Sequence, residues 1–131
     1  MKDDFIDAIY QKIKEDKIIT DIVEERIKFY TYENFQEETK PFLIIRPLNA
    51  DKGIQYGNDL PIQYEQDFQI DIQSKNRKDC RIVMSEVEKI MREINCRELT
   101  YNSLDEWFAP VGRYALAKRF RIKSNFKGEE N

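Results

Sequence analysis

Ile62-Gln63-Tyr64-Glu65-Gln66-Asp67-Phe68-Gln69-Ile70-Asp71-Ile72-Gln73-Ser74 is the stretch whose reading decides the fold. Ile62, Tyr64, Phe68, Ile70 and Ile72 alternate with Gln63, Glu65, Asp67, Gln69, Asp71 and Gln73. Successive side chains of a strand point to opposite faces, so this period of two predicts one long strand with an apolar face and an acidic, amide-rich face. A second strand over 113–124 reads the same way, with Tyr114, Leu116, Phe120 and Ile122 on one face and Arg113, Arg119, Arg121 and Lys123 on the other.

Two strands with one apolar face each need a covering layer, and the helices supply it. Cys80, Val83, Met84, Val87, Ile90, Met91 and Ile94 trace a 3.6-residue stripe between the two strands, which predicts an amphipathic helix lying on the sheet. At the start, Phe5, Ile6, Ile9, Tyr10 and Ile13 make a similar stripe over 4–15, with Asp3 or Asp4 placed to cap it. Ile18, Ile19, Ile22 and Val23 follow as a short second helix, with Asp16 as its cap and an end near Glu25. A short strand is expected over Ile27 and Phe29, reaching as far as Tyr30, then a polar connection from Glu33 to Lys40. Phe42-Leu43-Ile44-Ile45 is a continuous apolar run stopped by Pro47, the mark of a central strand covered on both sides. Residues 49–61 carry Gly53, Gly57, Asn58, Asp59 and Pro61 and read as a long flexible loop, a length often used for function. Residues 96–112, with Leu99, Tyr101, Leu104, Trp107 and Phe108, fit one or two short strands. The tail 127–131 is expected to fray. The order of elements argues for one α+β domain over 1–131, mainly antiparallel, with an ordered core over about 4–126 and two main helices on the apolar face of the sheet.

Composition narrows the function. The 131 residues hold 22 Lys and Arg, 25 Asp and Glu, no His and two Cys, for a net charge of −3. Without histidine, neither Ser/His/Asp nor Cys/His catalysis is possible, and Cys80 and Cys96 form no Cys/His zinc pattern. Cys80 falls on the apolar stripe and reads as core; Cys96 is undecided. Glu33, Glu37 and Glu38 read as solvated, and the Trp107-Phe108 pair reads as core in preference to an anchor for a partner. No apolar run approaches the length of a membrane span, and the acidic start Met1-Lys2-Asp3-Asp4 is unlike a secretion signal, so a soluble chain in a reducing cytoplasm, away from membranes, is expected. No cofactor or metal site is expected.

Charge is unevenly placed. Residues 1–76 carry ten basic and sixteen acidic side chains, and 77–131 carry twelve and nine. Much of this lies on two strand faces, Glu65, Asp67 and Asp71 against Arg113, Arg119, Arg121 and Lys123, both turned away from the core. Two arrangements fit. The strands are neighbours and the charges pair across the ladder, each exposed pair giving about 0.2–1 kcal/mol, or the acidic surface of one copy meets the basic surface of the next, head to tail. Direct DNA binding is disfavoured, since Tyr114 and Phe120 lie on the face opposite the basic positions and the net charge is negative. A magnesium-dependent nuclease would use Asp59, Asp71 and Lys75, but the acid expected two positions before the lysine is Gln73.

The pieces in order resemble a family. The opening helix Phe5 to Lys14, Ile18-Ile19-Thr20-Asp21-Ile22-Val23, the Arg26-Ile27 strand start, Pro41-Phe42-Leu43-Ile44-Ile45, the glycine-bearing loop, the strand Tyr64 to Ile72, the helix Lys78 to Ile94 and Arg113-Tyr114-Ala115-Leu116 are similar to the tail terminator, or tail-to-head joining, proteins of long non-contractile-tailed bacteriophages. The resemblance implies a non-enzymatic structural protein with an α/β sandwich, forming a hexameric ring that ends tail-tube growth and docks to the head connector, with DNA passing through unbound. It implies a place at the head–tail junction of the virion, after assembly in the bacterial cytoplasm, with the tail tube protein and the head connector protein as partners. On that view Glu65, Asp67, Asp71, Arg113, Arg119, Arg121 and Lys123 lie at a subunit interface or the lumen, and Asp51, Lys52, Gly53, Tyr56, Asn58 and Asp59 form the docking loop. A neck adaptor shares the ring; a tail-tube subunit and a cytoplasmic interaction module are the other structural readings.

Overall fold

The computed structural model describes residues 2–48, 52–55 and 62–126. Three helices, α1 (Lys2–Glu15), α2 (Lys17–Val23) and α3 (Arg77–Glu93), lie on one six-stranded sheet. Its strands are β1 (Ile27–Phe29), β2 (Phe42–Pro47), β3 (Lys52–Gln55), β4 (Ile62–Ser74), β5 (Arg97–Phe108) and β6 (Arg113–Phe126). This is the α+β arrangement expected.

The helix starts follow from their side chains. The Asp16 carboxylate accepts from the Ile19 amide at 3.0 Å and opens α2; Asn76 accepts from the Lys78 amide at 2.9 Å and opens α3. Each cap satisfies an amide that has no partner inside the helix, a gain of about 1 kcal/mol. α1 begins at Lys2, ahead of Asp3 and Asp4, so these two lie within the first turn instead of capping it.

The sheet runs β1-β2-β4-β6-β5, with β3 paired to β4 beyond the end of β2. All pairings are antiparallel except β1 with β2. β4 stands in the middle, and β2 one place nearer the edge than expected. The longest ladder is β4 with β6, from Ile62↔Phe126 to Ser74↔Tyr114. Because the register sets Phe68 against Phe120 and Ile72 against Leu116, the apolar faces of both strands coincide. Ile9, Ile13, Ile19, Val23, Val83, Val87 and Met91 from the helices close over them to make the core. Each such side chain gains about 1.5–3 kcal/mol from leaving water.

The opposite face of the sheet has a cover of its own at the β2 end. A parallel β1–β2 pair requires the connection to cross over, and residues 30–41 do so on the side away from the helices. Phe42 and Ile44 are therefore buried as fully as Leu43 and Ile45, as the apolar run predicts. The Tyr32 ring stacks on Phe42 with centroids 4.3 Å apart.

Three local expectations change. Lys52–Gln55 is a strand, not part of a loop, because it can extend the β4 ladder where β2 ends. Residues 97–108 are one strand with an irregularity between Leu99 and Leu104, since β6 is long enough to pair both halves. Ile18 is exposed, because the four apolar positions spread over about 140° of the α2 surface and Ile18 stands at one end of that arc, opposite the buried Val23. The tail 127–131 lies outside the described residues.

Candidate assembly surface

The side chains singled out for assembly lie on the sheet face away from the helices, and nearly all are engaged within the chain. Register sets Glu65 opposite Lys123, Asp67 opposite Arg121 and Gln69 opposite Arg119. Arg121 grips Asp67 with a two-pronged contact, Nε to Oδ1 at 2.6 Å and Nη2 to Oδ2 at 3.0 Å. This bond holds the guanidinium charged well above its ordinary range, with the Glu65 carboxylate contributing as well. Lys123 lies 3.4 Å from Glu65. Asp71 is held by Arg46 from β2 and accepts from Gln69 Nε2 at 2.6 Å. Gln69 in turn accepts from Arg119 Nε at 2.8 Å. The result is one polar ladder crossing β2, β4 and β6 obliquely.

Cross-strand pairing is thus the arrangement the molecule adopts for these charges. Asp67 and Asp71 are buried, not solvated. Glu65, Asp67 and Asp71 are each matched by a basic side chain of β2 or β6. Arg119, like Arg113, forms no ion pair with a carboxylate among the described residues; it lies over the Tyr101 ring, 5.9 Å from its centroid.

Arg113 is not a surface residue at all. It is 2% exposed, and its guanidinium donates to Gln73 Oε1 at 2.9 Å, the Glu38 carbonyl at 2.9 Å and the Phe35 carbonyl at 2.6 Å. It also lies over the rings of Phe35 and Phe42. Burial lowers its pKa, opposed by the charge of Glu38. Arg113 pins the 30–41 crossover to the sheet. Glu38 is correspondingly more than a solvated charge: Tyr32 Oη donates to it at 2.7 Å and the Lys40 amide at 3.0 Å, which lowers its pKa.

On the helix side of β6, Lys118 interrupts the apolar positions. It is matched by Glu88 from α3 and by Glu98 from β5 at 3.3 Å, and the bond to Glu88 raises its pKa. Both cysteines are buried and unbridged. Of the nuclease-like set, Asp71 is taken by Arg46 and Gln69, Gln73 by Arg113, and Asp59 lies outside the described residues. Among the described residues no three His, Cys, Asp or Glu side chains are grouped to hold a metal ion, and no helix is long and apolar enough to cross a membrane. Of the docking set, Lys52 and Gly53 are in β3, while Asp51, Tyr56, Asn58 and Asp59 lie outside the described residues.

The largest departure is at β5. Trp107 is 50% exposed and Phe108 40%, with Tyr101 and Leu104 beside them. The reading of Trp107-Phe108 as core does not hold. Trp107 meets Tyr114 edge-on at 5.6 Å, but β5 is the last strand of the sheet, and among the described residues no element lies beyond it to bury these rings. An edge strand that carries exposed apolar side chains is a surface for pairing with another chain. Sequence reasoning missed it because apolar content alone does not say whether a strand has one neighbour or two.

No family model matches the chain, and no curated protein sequence matches it. A solved structure does: a chain in the virion of a native gene transfer agent particle superposes with a TM-score of 0.52 at 11% identity, covering 88% of this chain and 92% of that one. At this identity the likeness concerns the fold, and it runs through nearly the full length of both chains.

Proposed function

We propose that this chain is a structural, non-enzymatic component of a tailed bacteriophage or phage-like particle: a tail terminator, forming a ring that caps the tail tube, ends its growth and joins it to the head connector. The observation that carries this reading is the near full-length fold likeness to a gene transfer agent virion chain. It meets the resemblance of elements described above. The absence of histidine from the chain and the engagement of Asp71 and Gln73 in the sheet's own bonds favour a scaffold over a catalyst. The exposed apolar edge of β5 suits a protein that finishes its folding surface against neighbours. In this reading the 49–60 segment is the docking element and the virion the place of residence.

The test is electron microscopy of particles from the source strain, labelled with an antibody to this protein. Label at the junction of head and tail is expected. Label along the shaft would make the chain a tube subunit, label confined to the connector side of a tailless head would make it a neck adaptor, and unlabelled particles would overturn the virion role. Deleting residues 49–60 should block joining of heads to tails; full infectivity of that deletion would remove the docking role.

A further inference from the structure

Apart from Ile18 on α2, the exposed large apolar side chains among the described residues stand at the two opposite edges of the sheet. At the β5 edge stand Tyr101, Leu104, Trp107 and Phe108, with Leu104 and Phe108 on the same face as Glu106 and Trp107 on the helix side. At the β1 edge stands Tyr30, 58% exposed, with φ 68. A bulky residue in the left-handed region is strained, and such strain persists where surrounding bonds impose it. Here the Tyr30 amide donates to the Ile45 carbonyl at 2.9 Å, and the Tyr30 carbonyl accepts from Arg46 Nη1 at 2.7 Å. These bonds keep the backbone in the fold while the ring stands in water.

The same two edges carry complementary charge. Lys28 lies in β1 opposite Ile44, and Glu106 lies in β5 opposite Ala115; both are exposed. Neither has an ionic partner among the described residues. Ile44 and Ala115 are both on the sheet face away from the helices, so Lys28 and Glu106 share that face at opposite edges. Strand direction agrees. β1 runs parallel to β2, β2 antiparallel to β4, β4 antiparallel to β6 and β6 antiparallel to β5. Two copies in the same orientation therefore set β1 of one antiparallel to β5 of the other.

We infer that copies of this chain join edge to edge, the β5 edge of one receiving the β1 edge of the next, with Glu106 against Lys28 and Tyr30 on the apolar patch of β5. The contact rests on the ring-forming reading above and assigns its surfaces. A two-fold contact of β5 with β5 would leave Tyr30 and Lys28 uncovered and bring the two Glu106 carboxylates onto one patch. The head-to-tail contact uses both edges, and it repeats from copy to copy.

The experiment is sedimentation velocity over a concentration series on the full chain and on Glu106→Lys, Lys28→Glu, the double variant, and an equimolar mixture of the two singles. Both positions are exposed and without an ionic partner among the described residues, so thermal melting at concentrations where the chain is monomeric should be unchanged in every variant. Each single variant should weaken self-association at least about tenfold, and the double variant should restore it. The mixture should restore it too, because alternating copies pair Lys with Glu at every contact. Singles without effect, or a double variant that stays weakened, would overturn this contact while leaving a ring built on another surface. A wild-type chain that remains monomeric to about 1 mM would also overturn it; label at the head–tail junction in that case would leave the particle reading standing.

Discussion

Arg113 offers the most direct test of how the open face of the sheet is organised. Its three donors hold Gln73, the Glu38 carbonyl and the Phe35 carbonyl. Truncation to alanine leaves those acceptors without a donor and opens a cavity between the Phe35 and Phe42 rings. A hydrogen bond from a charged group is worth about 1.5–3 kcal/mol, but the loosened crossover would let water reach the carbonyls, and removing a desolvated cation returns part of the loss. The balance is a destabilisation of about 3–5 kcal/mol for Arg113→Ala, a large share of the roughly 5–15 kcal/mol that holds a domain together. For a chain of this size that corresponds to a melting temperature lower by about 10–15 °C. Arg113→Met keeps the volume and loses only the bonds, so it should cost less, about 2–3 kcal/mol. Arg113→Lys keeps the charge without the planar fork and should fall near alanine. Urea denaturation measures each value, and hydrogen exchange at the Glu37 and Glu38 amides, which close the turn at Phe35–Glu37, reports on the crossover itself. A loss below about 1 kcal/mol for alanine, with those amides still protected, would refute the idea that Arg113 holds the crossover down.

Other parts of the molecule are open to measurement. A double-mutant cycle on Asp67→Asn and Arg121→Gln should give a coupling of about 1–3 kcal/mol, and additivity of the two would show the two-pronged contact to be idle. Burial and a hydrogen bond to Asp16 raise the Glu86 carboxyl above its ordinary 4.5, so the folded state binds this proton more tightly than the unfolded chain. Stability from that group is present at low pH and falls as pH rises above 4.5 through the raised value; Glu86→Gln should stabilise at pH 7 and lose its advantage near pH 4, and the reverse order in thermal melts would contradict the assignment. Burial pushes both thiols up to about 12. Neither Cys80 nor Cys96 should react with a thiol reagent at pH 8 until denaturant is added, and rapid native labelling of either would show that its cover opens.

Most of the fold was legible because its signals are periodic. The alternation over 62–74 and 113–124 and the stripe over 80–94 each report one face of one element, and a register that aligns apolar faces follows from them. The two caps, Asp16 and Asn76, are local chemistry, although only Asp16 stood out without the structure. What stayed illegible is neighbourhood. Nothing in Trp107-Phe108 says that β5 has a partner on one side alone, and nothing in Arg113 distinguishes a surface cation from one driven under a crossover. The charges on β4 and β6 were recognised, but only the strand order decides that Asp67 answers Arg121 in the same chain. Lys52–Gln55 was hidden by its glycine and by surroundings rich in turn residues, although β4 is long enough to need a second partner there.

The position of β6 also bears on how the chain comes to be folded as it is made. β6 follows every other described strand in the chain, yet it lies inside the sheet, between β4 and β5. A nascent chain that has reached only residue 112 has β5 with no ladder partner and β4 open along its full length. β4 is paired by β2 and β3 on one edge only, and β5 has no correct mate at all, until Arg113–Phe126 leaves the ribosome. Completion of the sheet is therefore a late, nearly all-or-none event, dominated by contacts distant in sequence and correspondingly slow. During that interval β4 and β5 are free to pair with the wrong chain, and a stop codon anywhere before β6 would release a sticky fragment, not a smaller working domain.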